Sequence, residues 1–220
     1  MNSVRLACWT ALVALIAGLN YVGRFTDSSS SSGARDQVYS WSAFAGGIVI
    51  YAIWLGLVLA LATDRHDLLA LRRPRVDWGR VLGYVVAGIG AIYVIGIVVS
   101  TIPLPQSPSE EQGLTPTQWE PRYAAAFAAN VALFALVAPI VEELMFRGVG
   151  QSLLRFLGRW PSILIVGSAF GLSHGLLEGL LVLVPFGVVV AWVRDRTDSV
   201  FPGMIIHAVF NGVALALSVL

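Results

Sequence analysis

Glu142, Glu143 and Arg147 follow directly on the apolar run Val131 to Val141, and His174, His207 and Asn211 fall inside later apolar runs. Carboxylate, imidazole and amide together are what is needed to activate a water molecule and hold the oxyanion it produces. A carboxylate withdrawn from water is the stronger base, and Asn and His side chains donate hydrogen bonds to a tetrahedral intermediate. Spacing decides which groups can meet. Glu143 and Arg147 are four apart and share a helical face as an acid-first ion pair. Glu142 is turned away by about 100° and is left without that partner. His207 and Asn211 are again four apart, as are Phe170 and His174, with Glu178 next in the row. A lone intramembrane histidine reads as a helix–helix hydrogen bond, but this whole set at these spacings reads as a site. His66, in an arginine-rich stretch, reads as solvated.

The elements that must position these groups are set by composition. Only 14 basic and 13 acidic residues occur in 220, or 12%, against 57% apolar and a mean hydropathy of +0.78. Ordinary soluble domains carry about 25% charged residues, so a soluble enzyme is excluded and the chain's first partner is the lipid bilayer. A net charge of +1 gives no basis for a nucleic-acid partner. The single cysteine, Cys8, excludes an intrachain disulfide and any multi-cysteine metal site. Residues 1–220 read as one integral membrane domain, an all-α polytopic bundle of about seven transmembrane helices, with six to eight the range.

The expected spans run from about Leu6 to Val22, Trp41 to Ala62, Val81 to Ile102, from Arg122 inward, as a hairpin of two helices between Trp160 and Val193, and from Ser199 to Leu220. The first is read as a helix rather than a cleaved signal, for want of a small-residue cleavage site. Residues 27–36, with serines from Ser28 to Ser32, and residues 103–121, with Glu110, Glu111 and Glu120, read as extramembrane loops. Arg65, Arg72, Arg73, Arg75 and Arg80 place the 64–80 loop in the cytoplasm. The alternation of loops then puts the N-terminus in the cytoplasm and the C-terminus outside, in a multi-pass cell-membrane protein.

The hairpin has 34 residues, leaving about 15 per leg, or about 22 Å at 1.5 Å per residue. The hydrocarbon core is about 30 Å thick, so either the bilayer thins or the legs stop inside the protein and leave a cavity. Glycines 167, 171, 175 and 179 form a bare ridge for close helix packing. Counted from Arg122, Glu142 lies about 28 Å along its helix, near the cytoplasmic face, while His174 lies about 20 Å from that face. The two meet only if the fourth helix is long and bends at Pro139, where a backbone hydrogen bond is lost. The expectation is a kinked fourth helix reaching about Leu157, with Glu142 in a cavity open toward the cytoplasm.

The run Glu142-Glu143-Leu-Met-Phe-Arg147 resembles the EExxxR motif of the CPBP intramembrane proteases, the CAAX protease and bacteriocin-processing group also called the Abi family. Phe170 to His174 resembles that family's FxxxH motif and His207 to Asn211 its HxxxN motif. Arg196-Thr-Asp-Ser199, Pro202 and Ile205-Ile206-His207 are similar to the usual entry to its last helix. The motifs occur in order between Pro139 and Gly212, about a third of the chain, and the N-terminal half matches only as membrane spans. The resemblance implies a CAAX-protease-like catalytic core within residues 122–220 and an endopeptidase whose eukaryotic members trim prenylated CAAX proteins. By it, Glu142 activates the water with His174, and His207 and Asn211 stabilise the oxyanion. Glu143 and Arg147 support the site, and Phe170 packs behind His174. Bacterial members are linked to bacteriocin maturation and self-immunity, which makes a peptide or membrane-protein substrate, C-terminal or bacteriocin-like, the expected partner.

No cofactor is required in the preferred, metal-free glutamate-protease reading. Glu142, His174 and His207 are also the His2Glu set of a catalytic zinc site, the alternative long attached to the family. Gly171-Leu-Ser173-His174-Gly175 fits GxSxG, but that motif needs a strand-to-helix elbow, and a Ser173–His207 dyad lacks the glycine expected after the serine. Transport is disfavoured because no internal repeat is present. A non-catalytic immunity or scaffold protein of the same fold is the remaining alternative.

Overall fold

The computed structural model describes residues 2–26, 34–103 and 119–219. Among these there is no strand. Seven helices occur: α1 (Asn2–Thr26), α2 (Trp41–Leu61), α3 (Trp78–Ser100), α4 (Pro121–Leu157), α5 (Arg159–Ser173), α6 (Leu180–Thr197) and α7 (Phe201–Leu217). Four are long and apolar enough to cross a membrane, α1 over Asn2–Gly23 and α2, α3 and α4 over their whole lengths. The expected seven helices are therefore present, but the last three are shorter than full spans. α5 has 15 residues, and α6 places Arg194, Asp195 and Arg196 in its last turns.

Two extended breaks are only partly described. Of the serine-rich stretch, residues 27–33 lie outside the described residues. Its end does not remain a linker but forms a 3-10 turn, Ala34–Tyr39, whose Val38 and Tyr39 are buried. Asn130 fixes that turn by donating to the Val38 carbonyl at 3.1 Å and the Ser40 carbonyl at 3.0 Å, and Ser40 then caps α2 by accepting from the Ala43 N–H. Of the 103–121 loop, residues 104–118 lie outside the described residues.

α4 is one helix of 37 residues, about 55 Å long at 1.5 Å per residue. Two π-helical stretches interrupt it, Leu133–Val137 and Leu144–Gly150. Such wide turns concentrate at functional sites and are a recognised cause of helix bending. The first ends two residues before Pro139, whose ring nitrogen donates nothing. Each stretch has a carbonyl occupied from outside the helix. Asn211 Nδ2 donates to the Phe134 carbonyl at 2.9 Å, Trp9 Nε1 to that of Met145 at 3.0 Å, and Arg194 Nε to that of Arg147 at 3.0 Å. Gly158, at φ +91°, ends the helix.

α5 and α6 are packed backbone to backbone. A Cβ on Gly187 would stand 2.5 Å from the Gly167 carbonyl oxygen, and one on Gly167 2.7 Å from the Val188 nitrogen. The glycine ridge expected through four positions is real only at 167 and 171, because α5 stops at Ser173. Gly175 instead turns the chain at φ +68°, with a Cβ there only 2.8 Å from Asn20. Glu178 lies in the same turn, so it does not extend the Phe170–His174 row.

At the opposite end, arginines gather on the α2–α3 loop, the α4–α5 junction and the α6–α7 turn. Arg75 N–H donates to the Thr197 carbonyl, Ser199 Oγ to that of Arg72, and Val200 N–H to that of Ala70. Asp198 is the knot. It caps α6 in the left-handed region at φ +56° and pairs with Arg155, with Arg194 at 3.0 Å and with Arg72 at 3.7 Å. Burial by itself raises its carboxyl, but the Arg155 hydrogen bond and the Arg155, Arg194 and Arg72 charges outweigh it and hold the group below the usual carboxylate range.

Gly167→Val should unseat the hairpin, at a cost of about 1–3 kcal/mol for an overpacked contact. Gly90, with open space where a Cβ would go, should accept alanine with no loss. Thermal unfolding of both variants in detergent tests this. Equal melting temperatures would refute the backbone-contact account.

Candidate active site

Glu143 and Arg147 are fully buried, and Glu142 and His207 nearly so. Isolated charges in such surroundings cost several kcal/mol each, so their partners define the site. Arg147 Nη1 donates to Glu143 Oε1 at 2.8 Å. Its Nη2 donates to the Gly187 carbonyl of α6 at 3.1 Å, and its guanidinium lies 4.4 Å from the centre of the Phe170 ring. Glu143 Oε1 also lies 3.2 Å from His207 Nδ1. Gly203, one turn before His207, leaves room for this carboxylate, since a Cβ there would stand 2.7 Å from Oε2. One ion pair thus joins α4, α5, α6 and α7.

That contact fixes the His207 tautomer. A carboxylate accepts only, so Nδ1 carries the proton and Nε2 of the neutral ring is left with a lone pair. Nε2 lies 3.8 Å from Glu142 Oε2, beyond direct hydrogen-bond reach. The other Glu142 oxygen, Oε1, accepts from Tyr51 Oη on α2 at 3.1 Å, so the carboxylate is held with Oε2 toward His207. Among the described residues no hydrogen bond reaches Oε2.

His174 follows the same logic. Its Nδ1 lies 2.8 Å from the Phe170 carbonyl, which can only accept, so Nε2 is the nitrogen left for the cavity. Ser173 Oγ spends its proton on that carbonyl at 2.7 Å and lies 3.5 Å from His174 Nδ1. Since Nδ1 is itself a donor there, Ser173 has no base. Phe170 packs at 4.7 Å on His174, 5.5 Å on His207 and 5.4 Å on Phe186, setting both imidazoles against one aromatic wall. Asn20 of α1 donates to the Ser173 carbonyl at 2.7 Å and secures the end of α5.

A cavity of about 980 Å³ has Glu142, His174, His207 and Asn211 in its lining, together with Tyr51 and Phe170. It runs from Glu142 past Gly46, Gly47 and Ala138 to Gln37, Ser40 and Ser42, at the end away from the arginines. The expectation of an opening on the arginine-rich side is therefore corrected. On that side the interior is filled: Phe146, Arg147, Gln151 and Arg194 are buried, and Gln151 Nε2 donates to the Ala191 carbonyl at 2.9 Å.

Three motifs separated in sequence are thus brought to one cavity. Asn211 arrives with one amide N–H already given to Phe134, so only the second is left for an oxyanion. Tyr51 was not found from sequence. Its one signal is a hydroxyl in an apolar span, which needs a partner when buried, and nothing local names Glu142 as that partner. Among the described residues no three His, Cys, Asp or Glu side chains gather as a metal-ligand group.

A helical membrane bundle with a buried Glu–Arg pair and two cavity-facing histidines is the general class to which the fold and site belong. Residues 124–213 match the family model described as Rce1-like, type II CAAX prenyl endopeptidase, which supports assigning this part of the chain to the CAAX protease family of membrane peptidases. No curated protein and no solved structure matches it. The match covers every motif residue and leaves out Tyr51.

Arg147→Met should destabilise the fold by about 3–5 kcal/mol, because it strands a buried carboxylate. Arg147→Lys should recover little, since an ammonium cannot reproduce the fork to Glu143 and Gly187. Melting temperatures in detergent decide the point, and a wild-type value for Arg147→Met would remove the pair from its structural role.

Proposed function

We propose that the chain is an intramembrane endopeptidase that hydrolyses a peptide bond with a water activated by Glu142. The supporting observation is the 3.8 Å gap between Glu142 Oε2 and His207 Nε2 in the lining of the cavity, each group's other atom being committed to Tyr51 or Glu143. A water about 2.8 Å from each atom bridges that gap. It gives one proton to Glu142 as its oxygen bonds to the scissile carbonyl carbon, and the carbonyl pair moves onto oxygen. Asn211's second amide N–H donates to that oxyanion. The proton held by Glu142 then passes to the leaving nitrogen as the C–N bond breaks, giving a carboxylic acid and an amine, and the acid's remaining proton moves to the amine to leave carboxylate and ammonium. His174, in the same cavity lining, helps to orient the water, and Glu143, Arg147 and Phe170 hold the rings in place.

Glu142→Gln keeps the Tyr51 contact but removes the base, and should lower turnover by about 10²–10⁴-fold. Tyr51→Phe should lower kcat about tenfold with KM little changed, as expected for a lost hydrogen bond to a charged group. Ser173→Ala should retain activity. The readout is peptide-terminus proteomics in cells carrying each variant, followed by kinetics on the strongest hit. A dead Ser173→Ala beside an active Glu142→Gln would overturn the assignment.

The preferred reading needs no metal. Activity should survive a strong chelator, with no stoichiometric zinc in the purified protein. Loss on chelation and recovery with zinc would transfer Glu142, His174 and His207 to a His2Glu site.

A further inference from the structure

The cavity and the arginines lie at opposite ends of the bundle. From this we infer that the substrate is an extended polypeptide segment entering from the extracytoplasmic face, a stretch of an exported or membrane-anchored chain and not a cytosolic tail. The inference rests on the peptidase reading for what is cut, but its geometry stands on separate observations.

Arg75, Arg155 and Arg194 tie the α2–α3 loop, the α4–α5 junction and the α6–α7 turn into one end of the molecule. An excess of arginine in short loops marks the cytoplasmic side. Between that end and Glu142 the interior is closed by side chains bonded across helices: Arg147 to Gly187, Gln151 to Ala191 and Arg194 to Arg147. A peptide coming from the cytoplasm would have to break this buried set.

On the other side, among the described residues, the approach is open and suited to a peptide. Gly46, Gly47, Ala138 and Ala214 present little side-chain bulk to the cavity, while Ser40, Ser42 and Gln37 line its far end. Apolar walls suit side chains, and the polar mouth supplies partners for a peptide backbone that must leave water. Ser42 and Tyr51 are nine positions apart on α2, about 13 Å along a helix. At about 3.3 Å per extended residue, roughly four residues of substrate reach from the mouth to Glu142. A folded domain cannot do so, and a flexible terminus or loop can.

The test uses the full-length protein in intact cells. Cys8, which is exposed, is first replaced by alanine. Ser42→Cys at the mouth and Arg73→Cys at the arginine end are then treated with a membrane-impermeant maleimide before and after permeabilisation. Ser42→Cys should label in intact cells and Arg73→Cys only after permeabilisation. In parallel, new peptide termini dependent on Glu142 should map to extracytoplasmic segments of exported or membrane proteins. The reverse labelling pattern overturns the inference, as do Glu142-dependent termini confined to cytosolic segments. The expected labelling with no Glu142-dependent terminus anywhere overturns the peptidase reading instead, and the substrate class falls with it.

Discussion

The buried Glu143–Arg147 pair is the constraint around which the C-terminal helices are arranged. Two opposite charges withdrawn from water need hydrogen-bond partners from the protein to offset their lost hydration. Arg147 must therefore reach the Gly187 carbonyl, which brings α6 to a fixed register on α4. Glu143 must take the His207 N–H, which sets both the height of α7 and the tautomer of the ring. The guanidinium covers Phe170, and Phe170 carries His174. The pair thus decides where Glu142, His174 and His207 stand relative to one another.

α4 solves a second problem, how one helix can serve two packed neighbourhoods. A regular helix would keep its carbonyls for itself. The two π stretches widen the turn on either side of Pro139 and Glu142, and Trp9, Asn211 and Arg194 bond carbonyls within them. Helices from both halves of the chain are thereby tied to the element that carries the carboxylates. Gly148 and Gly150 permit the same close approach: a Cβ on either would collide with Leu69 or Trp9.

Much of this was readable in the sequence because periodicity is local. Four-residue spacings identify Glu143 with Arg147, Phe170 with His174 and His207 with Asn211, and the cost of intramembrane charge singles them out from the rest. The length of α4 followed from requiring Glu142 and His174 to meet. Contacts between distant segments were not readable. Tyr51 reaches Glu142 across 91 positions, and nothing in the spacing of α2 announces it. The direction of the cavity was misjudged because the count along α4 measured depth only. Depth does not say which side is filled, and that depends on Gln151 and Arg194 finding carbonyls 40 and 47 residues away.

A hydrolase embedded in a bilayer needs water where the membrane excludes it, yet a pore would discharge the ion gradient that the membrane maintains. A cavity of about 980 Å³ has room for about 30 waters at roughly 30 Å³ each, ample for the reaction. The cross-bonded arginine and glutamine layer beneath Glu142 makes that reservoir blind at one end. Water in such a cavity would have no continuous wire for protons through that layer, so the proposed hydrolysis and an energised membrane can coexist in one fold.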